Sequence, residues 1–277
     1  MFAITRVYPV LLLAGTLASM NNAAAQSGGS PSVSYSLVET GSTVREPVFL
    51  RVAIENYSDE AVTVDLGISF RGSFRARMLR PDGRIETAPK PSINEFGPVG
   101  KTVIAPHERF SEMLLLNLWF DFDLPGRYFL DIVTTAPFVT ASGIQLAPAA
   151  AGGSVTIRVA PRDQRRLRQI CADLETKVRK SASSSAAALE AAETLSYIRD
   201  PVATPYLARL FDDHKNVEPL AVYGLERVAD GPAVDALISQ MNSREGDMRI
   251  LAPATLRRMQ EAAADPVIRQ KIEEALR

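Results

Sequence analysis

Histidine and cysteine, the side chains best suited to acid–base, nucleophilic and metal chemistry near neutral pH, are scarce in this 277-residue chain. It has two histidines and a single cysteine. His107 lies in Ala105-Pro106-His107-Glu108, read as a turn between strands, and His214 in Asp212-Asp213-His214-Lys215, read as a loop between helices. Zinc needs ligands that converge, and neither His-x-x-x-His nor Cys-x-x-Cys spacing occurs. Asp212, Asp213 and His214 could hold a cation weakly, but a solvated helix end is the plainer reading. Asp121 and Asp123 flank Phe122, and on extended backbone such residues share a face roughly 7 Å apart. A carboxylate pair of that kind would suit sugar hydrolysis if a cleft and aromatics supported it. Polar residues dressing a turn beside Trp119 are the simpler account. Cys171 lies on an apolar helical stripe with Leu167, Ile170, Leu174 and Val178, which makes it a small buried hydrophobe rather than a reactive thiol. Asn56-Tyr57-Ser58 matches the glycosylation sequon, which matters only in a glycosylating host. There is no Gly-x-Ser-x-Gly elbow and no phosphate-binding loop. The expectation is a non-enzymatic protein with no catalytic residue, no cofactor and no metal.

The elements that would have to position any site fall into two sets. The length suggests about two domains. Residues 26–160 hold 12 Lys+Arg and 14 Asp+Glu, and residues 161–277 hold 18 of each, so neither half carries the basic excess of a nucleic-acid binder. At the N-terminus, Arg6 precedes the apolar run from Val10 to Ala18, and Ala23-Ala24-Ala25 fits a signal-peptidase site. Residues 1–25 are read as a cleavable signal peptide, and 26–31 as a disordered linker. The expected protein is exported, periplasmic or extracellular, with no membrane span in the mature chain. With one cysteine it has no internal disulfide.

Residues 32–160 alternate with period two. Val33, Tyr35 and Leu37 begin the pattern. Val48, Leu50, Val52 and Ile54 form its clearest strand, and Val62, Val64 and Leu66, then Phe74, Ala76 and Met78, continue it. Pro81-Asp82-Gly83 is a tight hairpin turn. A Pro-rich loop spans Ala88 to Gly100. Tyr128, Leu130 and Ile132 follow Pro125-Gly126, and Val155, Ile157 and Val159 close the set. Seven to nine short strands in a β-sandwich are expected. The Pro-Gly turn feeding Tyr128 looks like the tyrosine corner of immunoglobulin-like sandwiches, although the cysteine pair and core tryptophan of antibody domains are missing.

At Pro161 the period becomes helical. Residues 161–185 read as a basic amphipathic connecting helix and loop, with Arg165, Arg166, Arg168, Lys177, Arg179 and Lys180 outside. Residues 186–277 then repeat at intervals of about 30 residues. Leu195 returns as Leu225 and loosely as Leu256, Leu207 returns as Leu237, and Asp200-Pro201 returns as Asp230-Gly231-Pro232. Ala188, Leu189, Ala192 and Leu195 are expected inside, and Pro253 is expected to interrupt the first helix of a degenerate third unit. On Ala192, Leu195, Asp200-Pro201, Leu207, Ala221, Val222, Leu225, Asp230 and Leu237 this region resembles HEAT-type repeats, of the short variety similar to that in phycobilisome lyases. The resemblance implies a stacked helical array that builds a surface. It is not extended to lyase activity, since an exported chain is in the wrong compartment for bilin attachment.

The fold class expected is therefore two-domain, all-β then all-α: an immunoglobulin-like β-sandwich followed by a short HEAT-like array. The function expected is an exported protein-binding or scaffold module. Its partner is another protein, with a homo-oligomer as a further possibility. Tyr206, Arg209, Ser239 and Gln240 are expected on the partner surface, and the junction near Arg162–Lys180 is a place where that surface would be shared with the sandwich. The alternative is an inhibitor or accessory subunit of an exported enzyme, acting through sandwich loops with Trp119-Phe120 as an anchor.

Overall fold

The computed structural model describes residues 29–66, 72–89, 100–148, 150–182, 185–213, 216–241 and 248–277, without the side chains of Asp212 and Asp213. The expected signal peptide, residues 26–28 of the linker, most of the Pro-rich loop and His214 lie outside the described residues. Among the described residues, strands between 32 and 160 form sheets, and seven α-helices follow between 164 and 275. The layout is β then α.

Three sheets enclose one apolar core. In the first, β3 (Phe49–Glu55) lies between β1 (Ser32–Leu37) and β8 (Arg109–Leu115). In the second, the order is β11 (Gln145–Leu146), β10 (Phe138–Thr140), β4 (Val62–Asp65) and β7 (Lys101–Ile104). The third runs β2 (Ser42–Thr43), β12 (Gly152–Ala160), β9 (Gly126–Thr134), β5 (Phe74–Leu79) and β6 (Ile85–Thr87). All pairs are antiparallel except β12 with β2. The period-two residues Leu50, Val52, Ile54, Val62, Val64, Met78, Tyr128, Leu130, Ile132 and Ile157 are all buried in this core. The strands number twelve among the described residues, more than the seven to nine expected. The excess is in β2, β10 and β11, which are too short for alternation to register in sequence.

The Leu124–Tyr128 corner ties the third sheet together. The Tyr128 hydroxyl donates to the Leu124 carbonyl oxygen at 2.8 Å and accepts from the Leu124 N–H at 3.1 Å. The buried Arg80 guanidinium lies beside this corner. It donates to Glu86 at 2.8 Å, to the Asp121 carbonyl oxygen at 3.3 Å and to Asp123 at 2.5 Å. Gly83, at φ 84°, closes the β5–β6 hairpin in the left-handed region that only glycine adopts freely.

The helices are α1 (Gln164–Lys180), α2 (Ala186–Ser196), α3 (Thr204–Asp213), α4 (Glu218–Val228), α5 (Gly231–Met241), α6 (Met248–Ala262) and α7 (Pro266–Ala275). They stack in two layers: α4 touches α2 and α6, while α5 touches α3 and α7. Helix α1 packs on α2 and α3, and its Leu167, Cys171 and Val178 belong to the helical core. Three of the helices begin on side-chain caps. Asp163 accepts from the N–H groups of Arg165 and Arg166, Ser185 from Ala188, and Asp265 from Val267. Two expectations are corrected. Leu189 is 39% exposed, because it falls on the outer edge of α2 while Ala188, Ala191, Ala192 and Leu195 face the core. Pro253 lies within α6 and does not interrupt it. A mid-helix proline costs about 3 kcal/mol. Burial of Ala252, Leu256 and Met259 on one face of α6 offsets that, at about 1.5–3 kcal/mol for each large apolar side chain.

Replacing Tyr128 by Phe keeps the ring in the core and removes both hydroxyl bonds, leaving the Leu124 N–H unpaired. The expected loss is about 1–3 kcal/mol of unfolding free energy, read from urea denaturation. An unchanged midpoint would show that the corner contributes nothing.

Candidate functional site

The β part and the helices meet through charged side chains. Asp200, between α2 and α3, is fully buried. One carboxylate oxygen accepts from the Val202 N–H at 3.0 Å and caps the 3-10 turn Pro201–Ala203. The same carboxylate receives Arg162 in a two-point fork, Nε at 2.7 Å and Nη2 at 2.8 Å. Arg45, from the β part, adds a third cationic contact at 3.7 Å. Burial alone would push the Asp200 carboxyl up. The Arg162 hydrogen bonds, the Val202 N–H and the charges of Arg162 and Arg45 outweigh it and hold the carboxyl below its usual value.

Three more contacts reinforce this joint. Arg166 of α1 reaches Glu46 at 2.8 Å and Glu39 at 3.1 Å. Glu46 is itself buried and oriented by the Thr43 N–H and hydroxyl, both at 2.8 Å. Arg199, just before Asp200, meets Asp121 of the tyrosine-corner loop at 2.5 Å. Arg45 carries a left-handed φ of 70°, and its N–H donates to the Phe122 carbonyl oxygen at 2.8 Å. A non-glycine residue in that region is held there by its surroundings, and such positions cluster at functional sites.

Between the two parts these residues leave a cavity of about 260 Å³. Arg45, Phe122 and Asp123 wall it on the β side, and Tyr197, Arg199 and Arg227 on the helical side. The Arg227 guanidinium stacks on Tyr197, 3.9 Å from the ring centre, and Nη1 donates to the Ser196 carbonyl oxygen at 3.2 Å. Guanidinium groups, carboxylates and an aromatic face are the chemistry of polar recognition.

The residues singled out in sequence fare differently. Asp121 and Asp123 each answer a separate arginine, Arg199 and Arg80. His107 is exposed in its turn at φ 59°, with Nε2 3.1 Å from Asp59. Asn56 is buried, and its side-chain N–H groups donate to Glu60, Ile104 and Ala105 carbonyl oxygens, which closes the sequon in the folded chain. Phe120 is buried and Trp119 half-buried against the sandwich core, so this pair is turned inward rather than presented as an anchor. Among the described residues no cluster of metal-ligand type is found, and no helix is long and apolar enough to cross a membrane.

Tyr206 and Arg209 lie on α3, Ser239 and Gln240 on the adjacent α5. Ser239 is exposed, while Tyr206 and Gln240 are half-buried. Arg209 is already engaged: it forks onto Glu175 of α1 at 2.7 Å through both nitrogens and stacks 4.7 Å from the Tyr206 ring centre. Sequence reading missed Glu175. It lies four residues after Cys171 and three before Val178, on the buried stripe, where a carboxylate demands a cationic partner. That spacing was the available signal.

The chain matches no family model and no curated protein. Among solved structures, the CARDB domain of a Pyrococcus furiosus protein in complex with di-metal ions is similar over 48% of this chain and 90% of that one, at 10% identity and a TM-score of 0.27. The sporulation control protein Spo0M of Bacillus subtilis matches over 52% of this chain and 55% of its own, at 15% identity and 0.27. A β-glucosidase from Listeria innocua matches over 48% of this chain but 16% of its own, at 12% identity and 0.28. Scores at this level carry no information on function.

Two outcomes follow from the joint. Because the folded Asp200 carboxyl titrates below the unfolded one, its contribution is complete above the usual value of 3.8 and disappears as pH falls through the folded value. Asp200→Asn keeps the cap and removes the charge. It is expected to cost about 2 kcal/mol in urea unfolding at neutral pH, below the full penalty for a broken buried pair because Arg162 is partly solvated. The gap between native and variant closes as pH falls below the usual carboxyl value, and a gap that persists there would exclude the ion pair as its source. Separately, burial and then the Asp200 charge push the Cys171 thiol up to about 12. The native chain should leave a disulfide-exchange dye unreacted, and release one thiol equivalent only when unfolded in guanidinium.

Proposed function

We propose that this chain is an exported, non-enzymatic binding or scaffold protein. In this reading an immunoglobulin-like sandwich carries a short HEAT-like array and presents one composite surface with it. The observation that carries the reading is the joint itself. A fully buried carboxylate shared between Arg162 and Arg45, backed by Arg166–Glu46 and Arg199–Asp121, fixes the helices against the sheets. A fixed angle between two parts is what a surface shared by both requires, since a partner then meets a preformed shape. The two-layer stacking of helices with Asp200, Asp230 and Asp265 in corresponding turns supports the HEAT-like assignment, and the Tyr128 corner supports the immunoglobulin-like one. Export rests on the residues from Arg6 to Ala25. The partner is another protein. The cavity between Arg45, Tyr197, Arg199 and Arg227, and the outer face of α3 and α5, are the places where it would sit.

A photo-crosslinking amino acid at Arg199, Ser239 or Gln240 of the exported chain tests this in the native compartment. The expected result is a discrete adduct with one other protein, on a chain whose mass begins at Gln26. Adducts between two copies of the chain would replace the partner by self-association. The absence of any adduct from all three positions, or a chain retained uncleaved in the cytoplasm, would overturn the proposal.

A further inference from the structure

A second surface lies on the outer face of the five-stranded sheet, and none of its residues lines the cavity at the joint. In the β9–β12 register Arg127 stands directly opposite Arg158, and both are exposed. Like charges placed opposite each other destabilise a sheet. Neither arginine meets a carboxylate among the described residues, nor does Arg75, exposed on the same face of β5. In the next row along the strands Thr156 stands opposite Phe129, and Phe129, Leu79 and Ile85 are consecutive apolar cross-strand neighbours, 47%, 38% and 62% exposed. Beyond it lies Asp131, which accepts from the Ser154 hydroxyl at 2.7 Å and faces Arg77 at 3.4 Å. The last row holds Arg75 opposite Val133. There Gly152 and Gly153 leave an open depression of about 530 Å³. The face therefore presents Arg75, Arg77, Arg127 and Arg158 against Asp131, on a chain whose net charge is −1.

We propose that this face docks an acidic, extended protein segment running along β9. Successive side chains on one face of an extended chain are spaced about 7 Å apart, matching the rows of the sheet. A glutamate or aspartate of the segment meets Arg127 and Arg158, and an apolar residue two places on covers Phe129 and Leu79. A hydroxyl residue four places on donates to Asp131, and a second carboxylate six places on meets Arg75. The order of rows is what selects a peptide. Asp131 in mid-face would repel a membrane of anionic headgroups or a nucleic-acid backbone, whereas a peptide can place a donor against it. The Arg127–Arg158 pair is a cost to the isolated sheet that an anionic partner removes, as expected where stability is traded for binding.

The test uses fluorescein-labelled Gly-Glu-Ser-Leu-Ser-Ser-Ser-Glu-Gly, followed by anisotropy against the full exported chain. The expected result is saturable binding that a peptide with lysine in place of both glutamates does not show. Arg127→Glu turns the repulsive pair into an attractive one. It should raise Tm by about 2 °C while weakening binding about tenfold. Leu79→Ser, with the arginines intact, should weaken binding about fivefold through loss of the apolar row. Equal binding by the native chain and both variants, equal binding of the lysine peptide, or binding of phosphatidylglycerol vesicles without binding of the peptide, would each overturn the proposal. None of these outcomes depends on the joint at Asp200.

Discussion

The buried Asp200 carboxylate is the interaction on which the rest of the architecture depends. Taking a carboxylate fully out of water costs several kcal/mol unless its charge and its lone pairs are answered. Here a forked guanidinium, a backbone N–H and a second, more distant guanidinium answer them. The consequence is geometric as much as energetic. Arg162 belongs to the link after β12, Arg45 to the loop after β2, and Asp200 to the turn that opens α3. One residue therefore satisfies a helix terminus and binds two covalently distant segments to it. Moving the helices away from the sheets would strand a buried charge, so the relative placement of the two parts is specified rather than merely tolerated.

Around that point the two cores remain separate. The sandwich core closes on Tyr128 and Phe122, and the helical core closes on Leu167, Cys171, Leu195 and Leu225. The side-chain contacts described between them are ion pairs, which makes the joint polar. That choice leaves a small charged cavity at the seam instead of a continuous hydrophobic interface. It also explains why arginine recurs there. A planar guanidinium can stack on Tyr197, fork onto Asp200 or reach Glu46, geometries that lysine cannot reproduce. The same device recurs among the helices, where Arg209 of α3 forks onto Glu175 of α1 and Arg258 of α6 onto Glu226 of α4. Arginine–glutamate forks thus latch α1 to α3 and α4 to α6 on top of their apolar packing.

Local chemistry explains which parts were legible in advance. Alternation from Val48 to Ile54 and from Tyr128 to Ile132 marked strands because one face of each is buried. The return of Leu195 as Leu225, and of Asp200-Pro201 as Asp230-Gly231-Pro232, marked helix pairs because each unit must bury the same face and cap the same terminus. Leu189 was misjudged because a four-residue helical spacing fits two neighbouring faces, and only packing selects between them. Pro253 was misjudged because its local penalty is real but smaller than the burial gained by the face that carries Leu256 and Met259. Strands of two or three residues such as β2 and β11 left no pattern to read.

The sequence by itself determined the order of the parts, the period of each element, the recurrence of Asp200-Pro201 as Asp230-Gly231-Pro232, and the corner at Tyr128. All of these follow from interactions between residues a few positions apart. Only the tertiary structure decided what the charged residues are for. Asp200 reads as a cap in sequence, and its second role depends on Arg162 and Arg45, 38 and more positions away. Asp121 and Asp123 read as polar residues dressing a turn, and the fold gives each a different arginine. Arg127 and Arg158 read as unremarkable surface charges until the β9–β12 register sets them side by side. Ion pairs and cross-strand neighbours join residues that are remote along the chain, and their partners are chosen by the fold rather than by spacing.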